Sequence, residues 1–329
     1  MRALVAEAFG GPDCARIREW PRPKPGHGEV LIEAQAWSLN FLDVLMIAGH
    51  YQVRPEPPFV PGRDVAGRVV ALGLGVETLQ VGDLVCAEPR YGAFAEFVVA
   101  PEYACLKTPG GLSATDLAAS ATAYATVVAA MRLRAKLQPA EWVLVTGAAG
   151  GVGSAGVQYA RRLGARVVAL VSSQEKADAV RRLGAEVAIR SDKLPNVEKG
   201  LRDALNDAQI PPVDAVIDVV GGETFKGALR CLRQGGRCII VGFASGQIPQ
   251  IPANYLLLRD LAVVGSSLDS LLRTRNADFR NCFLEALEDV SAGRLSAEVA
   301  AVLPLSKFSE AAALMSGRRL TGKIVFQGI

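Results

Sequence analysis

Histidine is almost absent from this sequence, which has only His27 and His50 among its 329 residues. Because imidazole is the commonest transition-metal ligand in proteins, a histidine-rich metal centre or proton relay is hard to assemble. The six cysteines are scattered, and no two have the C-x-x-C spacing of a zinc or redox motif. We therefore expect reduced, mostly buried thiols and no metal site.

Long apolar runs and charge blocks are also missing. The Ala-rich uncharged stretch between Asp116 and Arg132 holds 15 residues, fewer than the roughly 20 that a membrane-spanning helix needs, and we interpret it as a buried helix. The first residues, MRALVAE, carry charge too early for an export signal. Acidic and basic residues are interspersed, with a net charge of +3. We expect a cytoplasmic protein with no membrane or nucleic-acid partner.

The pattern of predicted elements changes near residue 115. Before it, short β-type runs alternate with Pro and Gly, which is typical of a compact, mostly antiparallel domain. These runs are 29–36, 66–72, 84–87 and 94–99. From about residue 141, strands and helices alternate, which predicts a parallel doubly wound sheet. The predicted strands are 142–146, 166–171, 186–190, 213–219, 236–242 and 261–266, and the helices are 154–163, 174–183 and 224–232.

The remaining elements are helices 278–292 and 307–316 and strands 300–304 and 322–326. If these last strands return to the first domain, the doubly wound unit is an insertion.

The strongest local signal is a glycine turn between a predicted strand and a predicted helix, VLVTGAAGGVGS at 143–154. Relative to the fingerprint G-x-G-x-x-G, Ala148 replaces the first glycine, while Gly150 and Gly153 keep the other two positions. Glycine at 150 lets the backbone approach a pyrophosphate, and glycine at 153 lets the helix pack closely on the sheet. The free N–H groups at the start of the helix favour an anion. The predicted cofactor contacts are Ala149, Gly150, Gly151, Val152 and Gly153.

The end of the second strand of this unit selects the cofactor. An NAD site has Asp or Glu there to bind the ribose 2′-hydroxyl, whereas this chain has Ser172, Ser173 and, shortly after, Lys176. Hydroxyls and a cation suit a 2′-phosphate, and Arg190 after the third strand can add to the pocket. The two serines can also simply cap the next helix. The sequence predicts NADPH.

At this point the chain resembles a known family, the zinc-independent medium-chain dehydrogenases/reductases of the quinone oxidoreductase (zeta-crystallin-like) branch. The resemblance runs nearly end to end. It is carried by NFLD (40–43), PGRDVAG (61–67), YGAFAE (91–96), AGGVG (149–153), GFASG (242–246) and LTGKIV (320–325).

The resemblance implies a Rossmann domain at 119–266 inserted into a GroES-like catalytic domain at 1–118 and 267–329, with a cleft between them for nicotinamide and substrate. It also implies an oligomer, and we expect a homodimer joined through the edge strand of the Rossmann sheet, 261–266.

Zinc-dependent relatives carry Cys near position 40 and Gly-His-Glu at the P-G turn. This chain has Asn40 and Gly62-Arg63-Asp64 there, and it lacks their four-cysteine lobe after residue 86. Without zinc to polarise an alcohol, hydride transfer to an electron-poor acceptor is the simpler chemistry. We therefore expect an NADPH-dependent quinone reductase. Reduction of activated C=C bonds in enals, enones or enoyl thioesters stays open, as does an NADPH-binding sensor or structural protein with little turnover.

The resemblance also supplies candidate site residues. Asn40 is expected near the nicotinamide ribose and substrate, or else as a cap in the loop after Ala36, and Asp64 is expected to shape the active site or to bond the P-G turn. Tyr51 is the candidate hydrogen-bond donor to a substrate carbonyl, or else packs against 55–59. Related reductases often have a second tyrosine six residues earlier, where this chain has Leu45, so a two-tyrosine quinone site is in doubt.

Further cofactor contacts are expected near the ends of other elements. Lys323 can reach a cofactor phosphate or simply decorate the last strand. The remaining candidates are Thr122, Val219, Gly242, Phe243 and Ala244.

Overall fold

A computed structural model describes residues 1–274, 277–317 and 320–329. The chain forms two compact units, one made of Met1–Thr122 with Leu287–Ile329 and the other of Ala123–Ala286. The second unit is therefore an insertion in the first, as the sequence predicted. No described helix is both long and apolar enough to cross a membrane.

The elements follow in chain order. The strands are β1 (Arg2–Ala6), β2 (Ala15–Glu19), β3 (Glu29–Ser38), β4 (Val65–Leu72), β5 (Leu84–Ala87), β6 (Phe97–Pro101), β7 (Cys105–Lys107), β8 (Trp142–Val145), β9 (Arg166–Val171), β10 (Val187–Arg190), β11 (Val213–Asp218), β12 (Leu232–Ile240), β13 (Ala262–Gly265), β14 (Val299–Leu303) and β15 (Lys323–Phe326). The helices are α1 (Phe41–Ile47), α2 (Ala114–Val128), α3 (Gly151–Arg162), α4 (Gln174–Arg182), α5 (Val197–Asp207), α6 (Gly222–Cys231), α7 (Ala253–Arg259), α8 (Leu268–Arg273), α9 (Ala277–Ser291) and α10 (Phe308–Ser316).

The first unit is built on a sheet in the order β14-β15-β3-β4-β5-β7, with β6 also paired to β3. All of its pairings are antiparallel except β14 with β15. The two ends of the chain meet where β15 joins β3, with Val325 opposite Ser38. Three buried rings fix this junction, with centroids 5.7 to 6.1 Å apart, since aromatic pairs pack best at such separations. They are Phe94, Phe308 and Phe326.

The second unit holds a fully parallel sheet in the order β10-β9-β8-β11-β12-β13. Counted within the unit, this is the doubly wound order 3-2-1-4-5-6, which reverses between β8 and β11 and binds dinucleotides at that point. Helices cover both faces of such a sheet, so its central strands read as apolar runs. β8 and most of β9 are accordingly buried.

Several sequence-based boundaries were wrong. Segment 94–96 precedes β6 instead of belonging to it, and β12 begins at Leu232, four residues before its predicted start. Helix α5 was missed, although Asn196 caps it by accepting from the Lys199 N–H and it buries an apolar stripe that includes Leu201 and Leu205.

The unit boundaries also differ from those expected at 118/119 and 266/267, since they fall inside α2 and α9. The beginning of α9 belongs to the second unit, where the Arg132 guanidinium donates a hydrogen bond to the Cys282 sulfur. Its end belongs to the first unit, where Ser291 Oγ donates to the Gly110 carbonyl oxygen at 2.8 Å.

Candidate functional site

A buried polar cluster lies in the first unit around Asp64. We call it the Asp64 cluster, and it consists of Ser38, Asn40, Asp64, Thr122 and Lys323. The fold explains its assembly: β3 ends at Ser38 and α1 begins after Asn40, while the pairing of β15 with β3 brings Lys323 alongside. Gly62, at φ +97°, turns the chain before Asp64, and a Cβ there would lie 2.6 Å from the Phe94 ring.

Every polar atom of the Asp64 carboxylate has a partner. Oδ2 accepts from Ser38 Oγ at 2.6 Å and from Asn40 Nδ2 at 2.9 Å, and Oδ1 accepts a very short bond from the Thr122 hydroxyl. Lys323 Nζ lies 3.7 Å from Oδ2 and donates to Asn40 Oδ1 at 2.6 Å. Asp64 and Lys323 are only 3% and 7% exposed, so each charge depends on the other for its stabilisation.

These contacts resolve alternatives that the sequence left open. Asp64 bonds to its cluster instead of to the P-G turn, and Lys323 is buried on Asp64 instead of decorating the strand. Asn40 directly precedes α1 as its N-cap, which agrees with the capping alternative, but the expected loop after Ala36 is shorter than predicted because β3 continues to Ser38. The Asn40 amide is held at both ends, by Asp64 and by Lys323, which fixes its orientation.

A second buried carboxyl, Asp43, lies on α1 next to this cluster. Its Oδ2 accepts from the Asn40 N–H at 2.8 Å, while no described residue hydrogen-bonds its buried Oδ1. Burial raises the pKa of Asp43 to about 7, and the nearby charge of Asp64 pushes it in the same direction. Asp43 is therefore largely protonated below neutral pH.

Tyr51 follows α1 and is half-buried. It packs against the apolar core that includes Phe59, and its phenol oxygen accepts from Arg63 Nη1 at 3.3 Å. Arg63 is itself only 6% exposed. The packing role that the sequence offered for Tyr51 therefore has a structural basis, whereas donation to a substrate carbonyl stays a prediction.

The glycine turn in the second unit has the geometry of a dinucleotide cradle. Gly147 has φ +58°, in the left-handed region that favours glycine. A Cβ on Gly153 would lie 2.2 Å from the Gly147 carbonyl oxygen, so only glycine lets α3 approach β8 this closely. Gly150 is exposed and precedes α3 directly, which leaves the helix N-terminus open to an anion.

The buried carboxylate of Asp218 joins the glycine turn after β8 to the turn after β11. These two turns lie on either side of the point where the strand order of the sheet reverses. Asp218, at the end of β11, accepts from the Thr146 hydroxyl at 2.6 Å and from the Gly221 N–H at 3.0 Å. The Val219 N–H donates to Thr146 Oγ1 at 3.1 Å. Burial raises the pKa of Asp218 above its ordinary value, against the opposing effect of these hydrogen bonds.

The segment after β12 packs on the same turn. The Gly242 N–H donates to the Asp218 carbonyl oxygen at 3.4 Å, and the Ala244 N–H donates to the Val219 carbonyl oxygen at 3.0 Å. The Phe243 ring lies 3.0 Å from where a Cβ on Gly221 would be. The structure thus brings Val219, Gly242, Phe243 and Ala244 together with the glycine turn in one unit.

The end of β9 presents hydroxyls and a cation. Lys176 Nζ donates to Ser172 Oγ at 3.2 Å, and Ser173 caps α4 by accepting from the Lys176 N–H at 3.3 Å. Ser173 is thus the helix cap, while Ser172 is exposed. The Arg190 guanidinium is held by Asp192 at 2.6 Å and by Gln174 at 3.0 Å, so a phosphate would have to compete with Asp192 for it.

Sequence reasoning missed Ser38, Thr146 and Asp218, and it gave no role to Arg63. An acid at the carboxyl end of the fourth strand, followed by Gly221-Gly222, was a readable signal for Asp218. Ser38 had none, because only the register of β3 shows which way it faces. Among the described residues, no three His, Cys, Asp or Glu side chains are grouped closely enough to hold a metal ion.

Comparison with known proteins agrees with this architecture. A family model described as an alcohol dehydrogenase GroES-like domain matches residues 26–110. A second, described as a zinc-binding dehydrogenase, matches residues 151–289. The first range lies within the antiparallel unit and holds β3 to β7, and the second holds β9 to β13 of the parallel sheet.

Individual relatives match along nearly the whole chain. A quinone oxidoreductase-like protein 2 homolog from Nematostella vectensis is 36% identical over 98% of this chain and 88% of its own length. A 2-haloacrylate reductase from a Burkholderia species is 33% identical over 98% of each chain. The structure of Escherichia coli quinone oxidoreductase complexed with NADPH superposes with a TM-score of 0.92, at 26% identity over 99% of this chain and 100% of that one. A mycobacterial protein complexed with NADPH gives a TM-score of 0.92 at 31% identity, covering 99% of each chain. The chain therefore belongs to the medium-chain dehydrogenase/reductase family, in its quinone oxidoreductase-like branch.

Proposed function

We propose that this protein is an NADPH-dependent reductase that transfers hydride to a quinone without zinc. The observation that carries the choice of cofactor is the end of β9, where Ser172 and Lys176 stand in place of an acid. An acid there would repel a 2′-phosphate, whereas a hydroxyl and an ammonium attract it. Two related structures, from E. coli and a mycobacterium, were solved with NADPH.

The residues present fit this cofactor. The pyrophosphate would lie at the exposed Gly150 and the start of α3, because the absence of Cβ atoms leaves room for backbone contact. Buried hydrogen bonds made by Asp218 and Thr146 hold the turns after β8 and β11 rigid beside the pyrophosphate position. NADPH supplies the hydride when it is bound.

In the first unit we assign the catalytic contacts to Asn40, Tyr51 and Asp64. Tyr51 donates its hydroxyl to the acceptor carbonyl, since a phenol donates a hydrogen bond without carrying a charge. Asn40 presents an amide whose orientation is fixed by Asp64 and Lys323. We further propose that Thr122 and Lys323 help to hold the cofactor through this cluster.

The acceptor class is tested by following NADPH oxidation with a panel of quinones, enones and haloacrylates. We expect quinones to give the highest kcat/KM. A preference for activated alkenes would move the assignment to C=C reduction, which the similarity to a 2-haloacrylate reductase favours. Tight NADPH binding with no turnover on any acceptor would contradict both assignments and indicate a sensor or structural role.

Replacing Lys176 by Ala tests the cofactor assignment. The lost charge-assisted hydrogen bond should raise the KM for NADPH by about 10-fold or more and leave that for NADH nearly unchanged. Lys199→Ala is the matched control, because Lys199 occupies the same position after the cap of α5 and is exposed. Equal changes for the two cofactors would show that Lys176 does not bind the 2′-phosphate.

We also propose a homodimer through β13. Among the described strands β13 ends the parallel sheet, so its outer edge offers backbone groups for pairing. Exposed apolar side chains lie nearby in sequence: Leu257 and Leu258 are 82% and 75% exposed. Sedimentation should give about twice the 34.7 kDa chain mass, and Leu257→Asp should shift it to the monomer. A monomeric wild type would refute the dimer.

The six free thiols support the cytoplasm as its compartment.

A further inference from the structure

The Arg190 guanidinium lies at the same edge of the parallel sheet as Ser172. Strand β10 ends at Arg190, which lies opposite Val171 in the pairing with β9, and Ser172 follows Val171 directly. Ser191 Oγ fixes this edge by donating to the Val171 carbonyl oxygen at 3.1 Å. Because neighbouring strands are about 4.8 Å apart, a phosphate bound at Ser172 comes within reach of the Arg190 side chain.

An acidic side chain occupies the ion-pairing face of Arg190. Asp192, in the short 3₁₀ turn Ser191–Lys193, accepts from Arg190 Nε at 3.1 Å and from Nη2 at 2.6 Å. Guanidinium groups bind phosphate in the same bidentate way. These hydrogen bonds raise the pKa of Arg190 and lower the pKa of Asp192, so both groups are charged at neutral pH. The two side chains are 25% and 39% exposed, so a ligand can reach them.

A neutral side chain, Gln174, holds Arg190 from another side. Its Oε1 accepts from Arg190 Nη1 at 3.0 Å. A phosphate that binds Arg190 must therefore either displace the Asp192 carboxylate or lie beside it. Displacement costs the ion pair, and the second arrangement brings two negative charges together. In both cases Asp192 weakens the binding of a phosphate, whereas Gln174 only orients the guanidinium.

We propose that Asp192 is a specificity-determining residue that competes with the 2′-phosphate of NADPH for Arg190, an inference that rests on the proposed cofactor. The ribose of NADH carries a neutral hydroxyl at the same position, so its binding does not require Arg190 to leave Asp192. Asp192 therefore lowers the affinity for NADPH selectively and narrows the preference between the two cofactors. Because exposed ion pairs are weak, this competition lowers the affinity only about 2- to 5-fold and does not block the pocket.

Direct titration of Asp192→Asn with NADPH and with NADH tests this role. The Kd for NADPH should fall about 2- to 5-fold, because the amide has no charge and Gln174 still orients Arg190. The Kd for NADH should change by less than about 1.5-fold. The Kd for 2′,5′-ADP, which carries the phosphate without the nicotinamide, should fall by the same factor as the Kd for NADPH. Thermal melts check that each variant is folded.

Asp178→Asn is the matched control. Asp178 is a second carboxylate whose charge acts on Arg190, but its hydrogen bonds come from Gln174 at 2.8 Å and Arg181 at 3.1 Å. Water and salt screen a charge that makes no contact with the ligand, so this variant should change the Kd for NADPH by less than about 1.5-fold. Arg190→Gln alone should weaken NADPH binding, and adding Asp192→Asn to it should bring little further change, since the competition requires the guanidinium.

Several results would overturn the inference. Weaker or unchanged NADPH binding by Asp192→Asn would show that the carboxylate orients Arg190 for the phosphate or has no part in the pocket. An equal gain in Asp178→Asn, or an undiminished gain in the Arg190→Gln background, would show an effect of charge at a distance. A wild type that binds 2′,5′-ADP no more tightly than 5′-AMP would instead overturn the proposed choice of NADPH.

Discussion

Replacing Gly153 by Ala should abolish useful cofactor binding. The added Cβ would lie 2.2 Å from the Gly147 carbonyl oxygen and 2.7 Å from Ala148 Cα. These are backbone atoms of the turn itself, so the clash is relieved only by moving α3 away from β8. Overpacking of this kind costs about 3 kcal/mol. It also displaces the helix N-terminus from the pyrophosphate position, and a shift of about 1 Å is enough to lower kcat/KM for NADPH about 100-fold.

The matched control is Gly156→Ala, one turn further along the same helix. A Cβ there would meet only side-chain carbons, at 3.4 Å from Met131, 3.5 Å from Val145 and 3.6 Å from Val127. We expect it to retain NADPH affinity and thermal stability close to those of the wild type. NADPH titration and a thermal melt of both variants measure the difference. Equal behaviour of the two would mean that close packing at Gly153 is not what forms the cradle.

Asp43 should make the protein less stable as the pH rises towards neutrality. In the unfolded chain its carboxyl loses its proton near the ordinary pKa of 3.8, whereas in the folded protein burial raises the pKa to about 7. Between these values the unfolded state binds fewer protons, so raising the pH favours unfolding. At about 1.4 kcal/mol per pH unit, Asp43 lowers the free energy of unfolding by about 3 kcal/mol between about pH 5 and about pH 8.

Urea unfolding of the wild type and of Asp43→Asn at the two pH values measures this contribution. The variant should lose most of the decline, because an amide does not ionise while its oxygen still accepts from the Asn40 N–H. The comparison concerns the change with pH, since the new amide hydrogens carry a constant cost of their own. Asp83→Asn is the control: Lys107 lowers the pKa of Asp83, which works in the opposite direction and should leave the decline intact. A parallel decline in Asp43→Asn and the wild type would contradict this account.

The dinucleotide-binding half of the molecule could be predicted closely from the sequence. The sequence patterns that predict it are local. Strand β9 was predicted with its observed bounds, Arg166–Val171, and the glycine turn indicated that a helix, α3, begins just after it. Each glycine there meets a requirement set by atoms only a few residues away, as Gly153 does with Gly147. Family resemblance then supplied the insertion and the branch.

Most residues of the Asp64 cluster could be predicted from the sequence, but the hydrogen bonds that join them could not. Asn40, Asp64, Thr122 and Lys323 were each expected near the site, yet their hydrogen bonds to one another depend on the register of β15 against β3. Register is a tertiary property, because a shift by one residue turns every side chain to the opposite face. The protonation of Asp43 was equally out of reach, since burial of its carboxyl follows from the complete fold.

The meeting of β15 with β3 has a consequence for how the protein is made. Lys323 and Asn40 are separated by 283 positions. The Phe94 ring, likewise, can pack against Phe308 and Phe326 only after both have been synthesised. While the ribosome is still translating the inserted domain, Asp64 lacks Lys323, which lies 3.7 Å away in the folded protein, and the end of β3 at Trp37 and Ser38 lacks its partner β15. The first unit therefore cannot complete its sheet or the Asp64 cluster until β15 has been synthesised. A truncation that removes β15 would therefore remove Lys323 from the Asp64 cluster and Phe326 from the aromatic junction at the same time.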